Sequence, residues 1–333
     1  MQDGPGAIDA LQRLHDIVAD DMAAVNREIV ARMSSEVPLI PELAGHIVAA
    51  GGKRVRPLLT LAASRMCGYE GKNHIELAAC VEFIHTATLL HDDVVDESKL
   101  RRGGASANAL FGNSASVLVG DFLFSRSFQL MVQIGSLEVL NILSSASATI
   151  AEGEVLQLST ANNPDTTVDE YYEVIRGKTA ALFAAAARVG PVLAGRSEAD
   201  AEALEAYGIN LGLAFQIVDD VLDYNADQKA LGKSIGDDFR EGKVTLPVLL
   251  AFARGDDGAR AFWRRTIEDE DQKPGDLEQA IAYLQETDAI AVSAKAARHF
   301  ANEAKEALSS VRGDESISKA LADVADFCVE RAF

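Results

Sequence analysis

Two runs of aspartate carry the most evident chemistry in this chain. In "LLHDDVVDES", Asp92, Asp93 and Asp96 stand at spacings of one and four; in "FQIVDDVLDY", Asp219, Asp220 and Asp223 repeat the arrangement. On a helix, positions i and i+4 share a face and i+1 lies about 100° around it. Asp92 and Asp96 therefore point together, with Asp93 beside them. Carboxylates held that close destabilise a helix and raise one another's pKa unless something positive compensates. Magnesium suits the task, being a hard ion that takes carboxylate oxygen and often bridges to substrate phosphates. A lone DDxxD would equally describe a solvated acidic helix end. Its recurrence, each time after an apolar helical stretch, argues for two acidic walls facing one cavity. A di-iron centre would need glutamates with a Glu-x-x-His pair, and neither run has one.

Cations stand in the right company. "GGKRVRP" sets Lys53, Arg54 and Arg56 behind two glycines, and Arg101 and Arg102 follow the first acidic run. Arginine forks bind phosphate oxygens in pairs, lysine adds a point charge, and glycines let backbone amides approach an anion. The spacing is not that of a P-loop. His85 lies seven residues before Asp92, two turns back on the same face. Lys178 and Thr179 in "RGKTA", and Gln216 three residues before Asp219, are polar groups in apolar surroundings and need partners. Lys233 and Lys243 follow the second run and can reach the same anion. Taken singly, each cation is an ordinary surface charge and His85 a satisfied core histidine. Beside magnesium-type carboxylates, the set points to a diphosphate.

The elements that must position these residues read as helices almost throughout. Apolar positions recur at helical spacing over 8–32, 39–50, 56–67, 74–97, 114–134, 138–159 and 198–226, with Thr166, Thr167 or Asp169 available to cap a helix between the last two. The glycine- and charge-rich stretch 225–243 reads as a loop, helices resume at "VTLPVLLAFA", and the charged stretch 256–278 reads as a looser, solvated connection before amphipathic helix over 279–333. No alternating strand pattern is evident. The expectation is one all-α domain spanning 1–333, a large helical bundle around a central cavity.

The bulk numbers agree. Of 333 residues, 48% are hydrophobic, and 31 basic against 51 acidic residues give a net charge of −20. That suffices for a large core and excludes a nucleic-acid surface, which needs a basic face. Cys67, Cys80 and Cys328 are odd in number and lack metal-ligand spacing, as in a reduced intracellular protein. The N-terminus carries no signal-peptide pattern, and "AALFAAAARVGPVLAG" is broken by Arg188 and Pro191, so no membrane span is expected.

Together, "GGKRVRP", "FIHTATLLHDDVVDES", "AEGEVLQL", "GKTAALF", "FQIVDDVLDY" and "GKSIGDDFREGKVTLPVL" make the chain resemble a trans-type polyprenyl diphosphate synthase over nearly its whole length. "DDVVDES", "RRG" and "ANALFGN" bring it near the bacterial octaprenyl-to-decaprenyl synthases that make the ubiquinone side chain. The resemblance implies the isoprenoid synthase fold, a cytoplasmic homodimer, and magnesium, three ions per site with substrate bound. It implies that Asp92 and Asp96, supported by Asp93, bind metal and the allylic diphosphate, and that Asp219, with Asp220 and Asp223, holds a further ion. Lys53, Arg56, His85 and Arg102 match the isopentenyl diphosphate site. Arg101, Lys178, Thr179 and Gln216 match the allylic side, of farnesyl or geranyl type, with Lys233 and Lys243 helping. Ala87 and Thr88, about one turn before Asp92, would leave the product tunnel open, and Phe124, Phe128, Met131 or Leu143 would form its floor. Membrane contact would be at most peripheral, through the product. The rival within the same fold is a class I terpene cyclase, which usually carries an Asn/Ser/Glu triad at the second site. Outside it, a non-catalytic partner subunit should have lost aspartates, and a helical scaffold leaves the motifs unexplained.

Overall fold

The helical periodicity at the N-terminus produces α1 (Ala7–Ile17) and α2 (Ala19–Arg32), with a break at Val18 inside what the pattern presents as one helix. These open a computed structural model that describes residues 7–49, 52–101, 104–224 and 235–330. Next come α3 (Leu39–Ala49), α4 (Val55–Met66) and α5 (Asn73–Val95), the helix that ends in the first aspartate run. A two-residue antiparallel pair, β1 (Leu100–Arg101) and β2 (Gly104–Ala105), turns the chain back. It is too short to show a period-2 pattern. After α6 (Ala107–Phe111), the long helices α7 (Asn113–Ile134) and α8 (Leu137–Thr160) follow, the first ended by left-handed Gly135 and the second capped by Ser136.

Among the three candidate caps it is Thr167 that starts α9 (Val168–Ile175), in a reciprocal capping box with Glu170. Helix α9 passes through a π-turn, Arg176–Ala180, into α10 (Ala181–Leu193). Ser197 caps α11 (Glu198–Asp223), the helix of the second aspartate run. Asp237–Arg240 (α12) is a short helix in the expected loop, and Pro247 falls in the first turn of α13 (Leu246–Arg254), where its missing N–H costs nothing.

The charged stretch 256–278 corrects the sequence reading. It holds α14 (Asp257–Trp263), a second π-turn over Arg264–Glu268, and the start of α15 (Asp276–Glu286). Phe262, Trp263 and Ile267 are buried in a small core of their own, with Tyr224, Phe239 and Leu284. The charges pair outside it, Arg265 with Asp276 at 2.8 Å and Arg264 with Asp165 at 2.9 Å. The chain ends in α16 (Ala289–Ser309) and α17 (Glu315–Glu330).

One main hydrophobic cluster runs from Leu14 on α1 to Val329 on α17. Within it α11 packs along α10 and α16, while α5 lies against α4 and α7. Among the described residues α7 is the one helix long and apolar enough, by length and composition, to cross a membrane. Its Leu123, Leu130 and Met131 are buried in this core, and Cys67, Cys80 and Cys328 are buried and not joined in a disulfide.

Candidate active site

One face of α5 supplies a stripe that lines a cavity of about 780 Å³: Glu82, His85, Leu89, Asp92 and Asp96, at helical steps of three, four, three and four. From α11, Gln216 and Asp219 line the same space, as do Lys53, Arg54 and Arg56 from the start of α4 and Lys178 and Thr179 from the π-turn. Residues that the sequence scatters over four segments are thus gathered around one cavity. Arg102 and Lys233 lie outside the described residues.

The two motifs divide their aspartates. Asp92, Asp96 and Asp219 line the cavity. Asp93, one step round the helix, is 4% exposed and receives the guanidinium of Arg101, through Nε at 2.9 Å and through a second nitrogen. Asp220 is likewise 4% exposed and accepts hydrogen bonds from the Tyr171 hydroxyl at 2.6 Å and the Gln216 amide at 2.8 Å. Burial pushes its carboxyl up to about 6, against the pull of those two donors. Asp223 accepts the backbone N–H groups of Asp237 and Asp238 and so anchors α12. Asp93 thus supports the site from behind, as the resemblance implies, and Asp220 turns away from this cavity toward an adjoining one of about 660 Å³ that it shares with Asp96, Lys178, Gln216 and Lys243. The cause is the 100° step between neighbours on a helix.

The cations rest on groups that hold them toward the cavity. Lys178 reaches Glu154 at 2.8 Å and Asp92 at 3.7 Å, and Lys243 reaches Asp96 at 3.4 Å. Thr179 donates to Gln216 at 2.8 Å. Arg56 lies over the Phe183 ring at 4.5 Å and 3.1 Å from His85 Nε2, and Lys53 lies over Phe327 at 5.1 Å. Aromatic faces of this kind support a cation without neutralising it. The π-turn rotates Lys178 and Thr179 into the cavity, and such turns recur at functional sites.

Besides Glu82, two residues here escaped the sequence reading. Glu154, on α8 within "AEGEVLQL", is the partner of Lys178; burial and the Asp92 charge push its carboxyl up to about 7. Its signal was a carboxylate on the apolar face of a helix beside a glycine. Tyr171, buried at the start of α9, holds Asp220, and nothing in its local sequence marks it.

The donors fit magnesium. Burial and then Asp96 raise the Asp92 carboxyl, with Lys178 opposing, as expected of carboxylates short of positive charge. Among the described residues no three His, Cys, Asp or Glu side chains converge as a closed ligand set. Magnesium suits such a site because it keeps waters and substrate oxygens in its shell.

A family model for polyprenyl synthetases matches residues 37–284. The chain belongs to the polyprenyl synthetase family. It is 53% identical to octaprenyl diphosphate synthase of Escherichia coli over 78% of this chain and 80% of that one. The crystal structure of a decaprenyl diphosphate synthase from Rhodobacter capsulatus superposes with a TM-score of 0.94 at 54% identity, covering 97% of this chain and 99% of the other. A polyprenyl synthase from Caulobacter crescentus, complexed with calcium and isoprenyl diphosphate, gives 0.93 at 50% identity over 97% and 98%. The fold is the all-α isoprenoid synthase fold, and the enzyme is a prenyltransferase of the long-chain polyprenyl diphosphate synthase type.

The synthase's chain-length candidates fall in different places. Thr88 lines the cavity. Ala87, Met131 and Leu143 are 0% exposed, sealed in the main core, so the tunnel expected beneath Thr88 is closed at those positions. Phe124 is partly buried against the core, while Phe128 is 38% exposed and belongs to the outer surface of α7.

Proposed function

We propose that this synthase condenses isopentenyl diphosphate repeatedly with an allylic diphosphate of farnesyl or geranyl type. The product is an all-trans chain of eight to ten isoprene units for the ubiquinone side chain. One observation carries the reading: Asp92 and Asp96 from α5 and Asp219 from α11 line the same cavity as Lys53, Arg56 and His85. One wall is suited to a metal-bound diphosphate and the other to a second, separately held diphosphate.

In this reading Arg101, Lys178, Thr179, Gln216 and Lys243 hold the allylic diphosphate, with Asp93, Asp220 and Glu154 keeping three of them aimed. Asp92, Asp96 and Asp219 would hold magnesium, three ions with substrate bound, which would supply charge neutralisation at the leaving diphosphate. The surrounding cations stabilise that same developing charge, so the allylic C–O bond breaks and leaves a carbocation. Lys53, Arg56 and His85, joined by Arg102, fix the isopentenyl double bond where it attacks C1, and this positioning supplies much of the rate. Loss of a proton to the released diphosphate restores an allylic diphosphate one unit longer. Ala87, a small side chain in the closed core beneath Thr88, is the position that yields most readily as the product parts that packing, and Met131 and Leu143 stand at the floor.

We also propose that the whole chain acts as one domain in the cytoplasm and as a homodimer, with membrane contact only through the product. The main core joining α1 to α17 supports the single domain. For the dimer, α7 and α8 expose Leu118, Val132, Leu137, Val155 and Leu158, each more than 60% accessible, and large apolar side chains exposed together on neighbouring helices are the kind of surface a partner covers. Incubating the purified protein with magnesium, isopentenyl diphosphate and farnesyl diphosphate, then chromatographing the dephosphorylated product, tests the activity. Failure to elongate refutes it, and a cyclised hydrocarbon from farnesyl diphosphate alone would make the protein a cyclase.

A further inference from the structure

Arg54 stands in a conformation that its residue type disfavours twice. Its φ of 49° and ψ of 35° are left-handed, which a Cβ penalises, and it is the N-cap of α4 without any side-chain cap to offer. A backbone outlier of this sort persists only where its surroundings hold it, and it points to function when it lies at a site. The holding group is Glu82 on α5, whose carboxylate accepts from Arg54 at 2.6 Å. Both side chains are largely buried, at 17% and 13% exposure.

Glu82 sits one turn before His85, and Arg56 stands two residues after Arg54. Arg54 to Glu82 and Arg56 to His85 (3.1 Å) are therefore two parallel rungs between the entry of α4 and the same face of α5. Both rungs line the cavity. A carboxylate there is electrostatically adverse to a diphosphate, so Glu82 has a holding task to justify its place. The turn it fixes is the one that carries Lys53 and Arg56.

We infer that Arg54 and Glu82 are positioning residues for the isopentenyl diphosphate pocket: their ion pair locks the left-handed turn that directs Lys53 and Arg56 into the cavity. Neither touches the substrate in this scheme. The inference rests on the reading that Lys53, Arg56 and His85 bind that diphosphate.

Steady-state kinetics with each substrate varied in turn, on full-length Glu82→Gln, Arg54→Ala and Arg54→Lys, test it. Glu82→Gln and Arg54→Ala should raise KM for isopentenyl diphosphate about tenfold, about 1.4 kcal/mol, while KM for the allylic substrate stays within about twofold. Arg54→Lys keeps the charge and should recover most of the loss. Should Arg54→Ala not fold, Arg54→Gly adopts the turn freely, lacks the pair, and should show the same selective rise. An unchanged or lowered KM for isopentenyl diphosphate overturns the inference, the latter because relief of repulsion would then outweigh positioning. A parallel rise in both KM values overturns it too, as general loosening. A wild-type protein that elongates nothing refutes the underlying reading instead.

Discussion

Gly153 on α8 meets the π-turn backbone so closely that a single added methyl should disturb catalysis. A Cβ at Gly153 would lie 2.5 Å from the Lys178 amide nitrogen and 2.8 Å from the Gly177 carbonyl carbon. The first distance is about 0.9 Å short of ordinary van der Waals contact, and both obstacles are backbone, which cannot rotate away. Gly153→Ala must therefore push α8 off the turn that carries Lys178 and Thr179. Overpacking of this kind costs about 1–3 kcal/mol, and an active-site displacement near 1 Å costs about 100-fold in rate. We expect a melting temperature a few degrees lower and turnover reduced about 100-fold, measured by isopentenyl diphosphate incorporation at saturating substrates. Gly45→Ala is the control: its Cβ meets nothing within 4 Å, and in the middle of α3 it should be neutral or slightly stabilising. Near-wild-type turnover in Gly153→Ala with a lowered melting temperature would show that Lys178 alignment is not critical. An unchanged melting temperature would refute the close contact itself.

Three further outcomes follow from other parts of the molecule. Ala87→Phe should shorten the product, read by chromatography after dephosphorylation; an unchanged distribution removes Ala87 as a gate. Tyr171→Phe strips the buried Asp220 of a donor 2.6 Å away, and should cost about 1–3 kcal/mol in denaturant unfolding; no loss would show that Asp220 finds another partner. The third concerns acid. His74 is 0% exposed, with its imidazole pKa lowered by burial, and lies 3.1 Å from Asp21, though out of hydrogen-bonding alignment. Below about pH 6.5 the unfolded chain takes up the His74 proton before the folded one does, so stability falls with pH, by at most about 1.4 kcal/mol per unit. Asp21, whose carboxyl is held low by Arg65 and His74 against the cost of burial, adds to the loss at lower pH. Glu154 and Asp220, raised to about 7 and about 6, pull the other way. The effect is therefore read as a difference between wild type and His74→Phe in unfolding at pH 7.5 and 5.5; parallel pH dependences would refute it.

Most of the helical frame was legible because each long helix buries one face and so repeats its apolar residues every three or four positions. Where that rule failed, the failures have causes. Val18 is apolar and in phase, so nothing in the pattern marks the break between α1 and α2. In 256–278 a π-turn shifts the phase between Trp263 and Ile267, so two core residues read as strays among charges. In the site, Asp92 and Asp96 were legible from spacing alone, whereas Asp219 was singled out from Asp223 by the resemblance. The partners of Asp93 and Asp220 were not legible, since Arg101 and Tyr171 come near them only in the fold. Arg54 looked like one more phosphate-binding cation; its carboxylate partner lies 28 residues away on another helix.

With Ala87, Met131 and Leu143 sealed in the core, a product that lengthens past them would have to part the packing there itself. Each added unit brings five carbons, and sheltering them from water is worth about 4 kcal/mol at about 0.8 kcal/mol per carbon. Against that gain stands the work of parting packed side chains, which grows as the wedge reaches tighter layers. On a path through those residues, length would be set where two slopes cross, as with a spring under load and not a rod meeting a wall. A ruler of that kind is adjusted by any residue that stiffens or softens the core, including ones the product never touches.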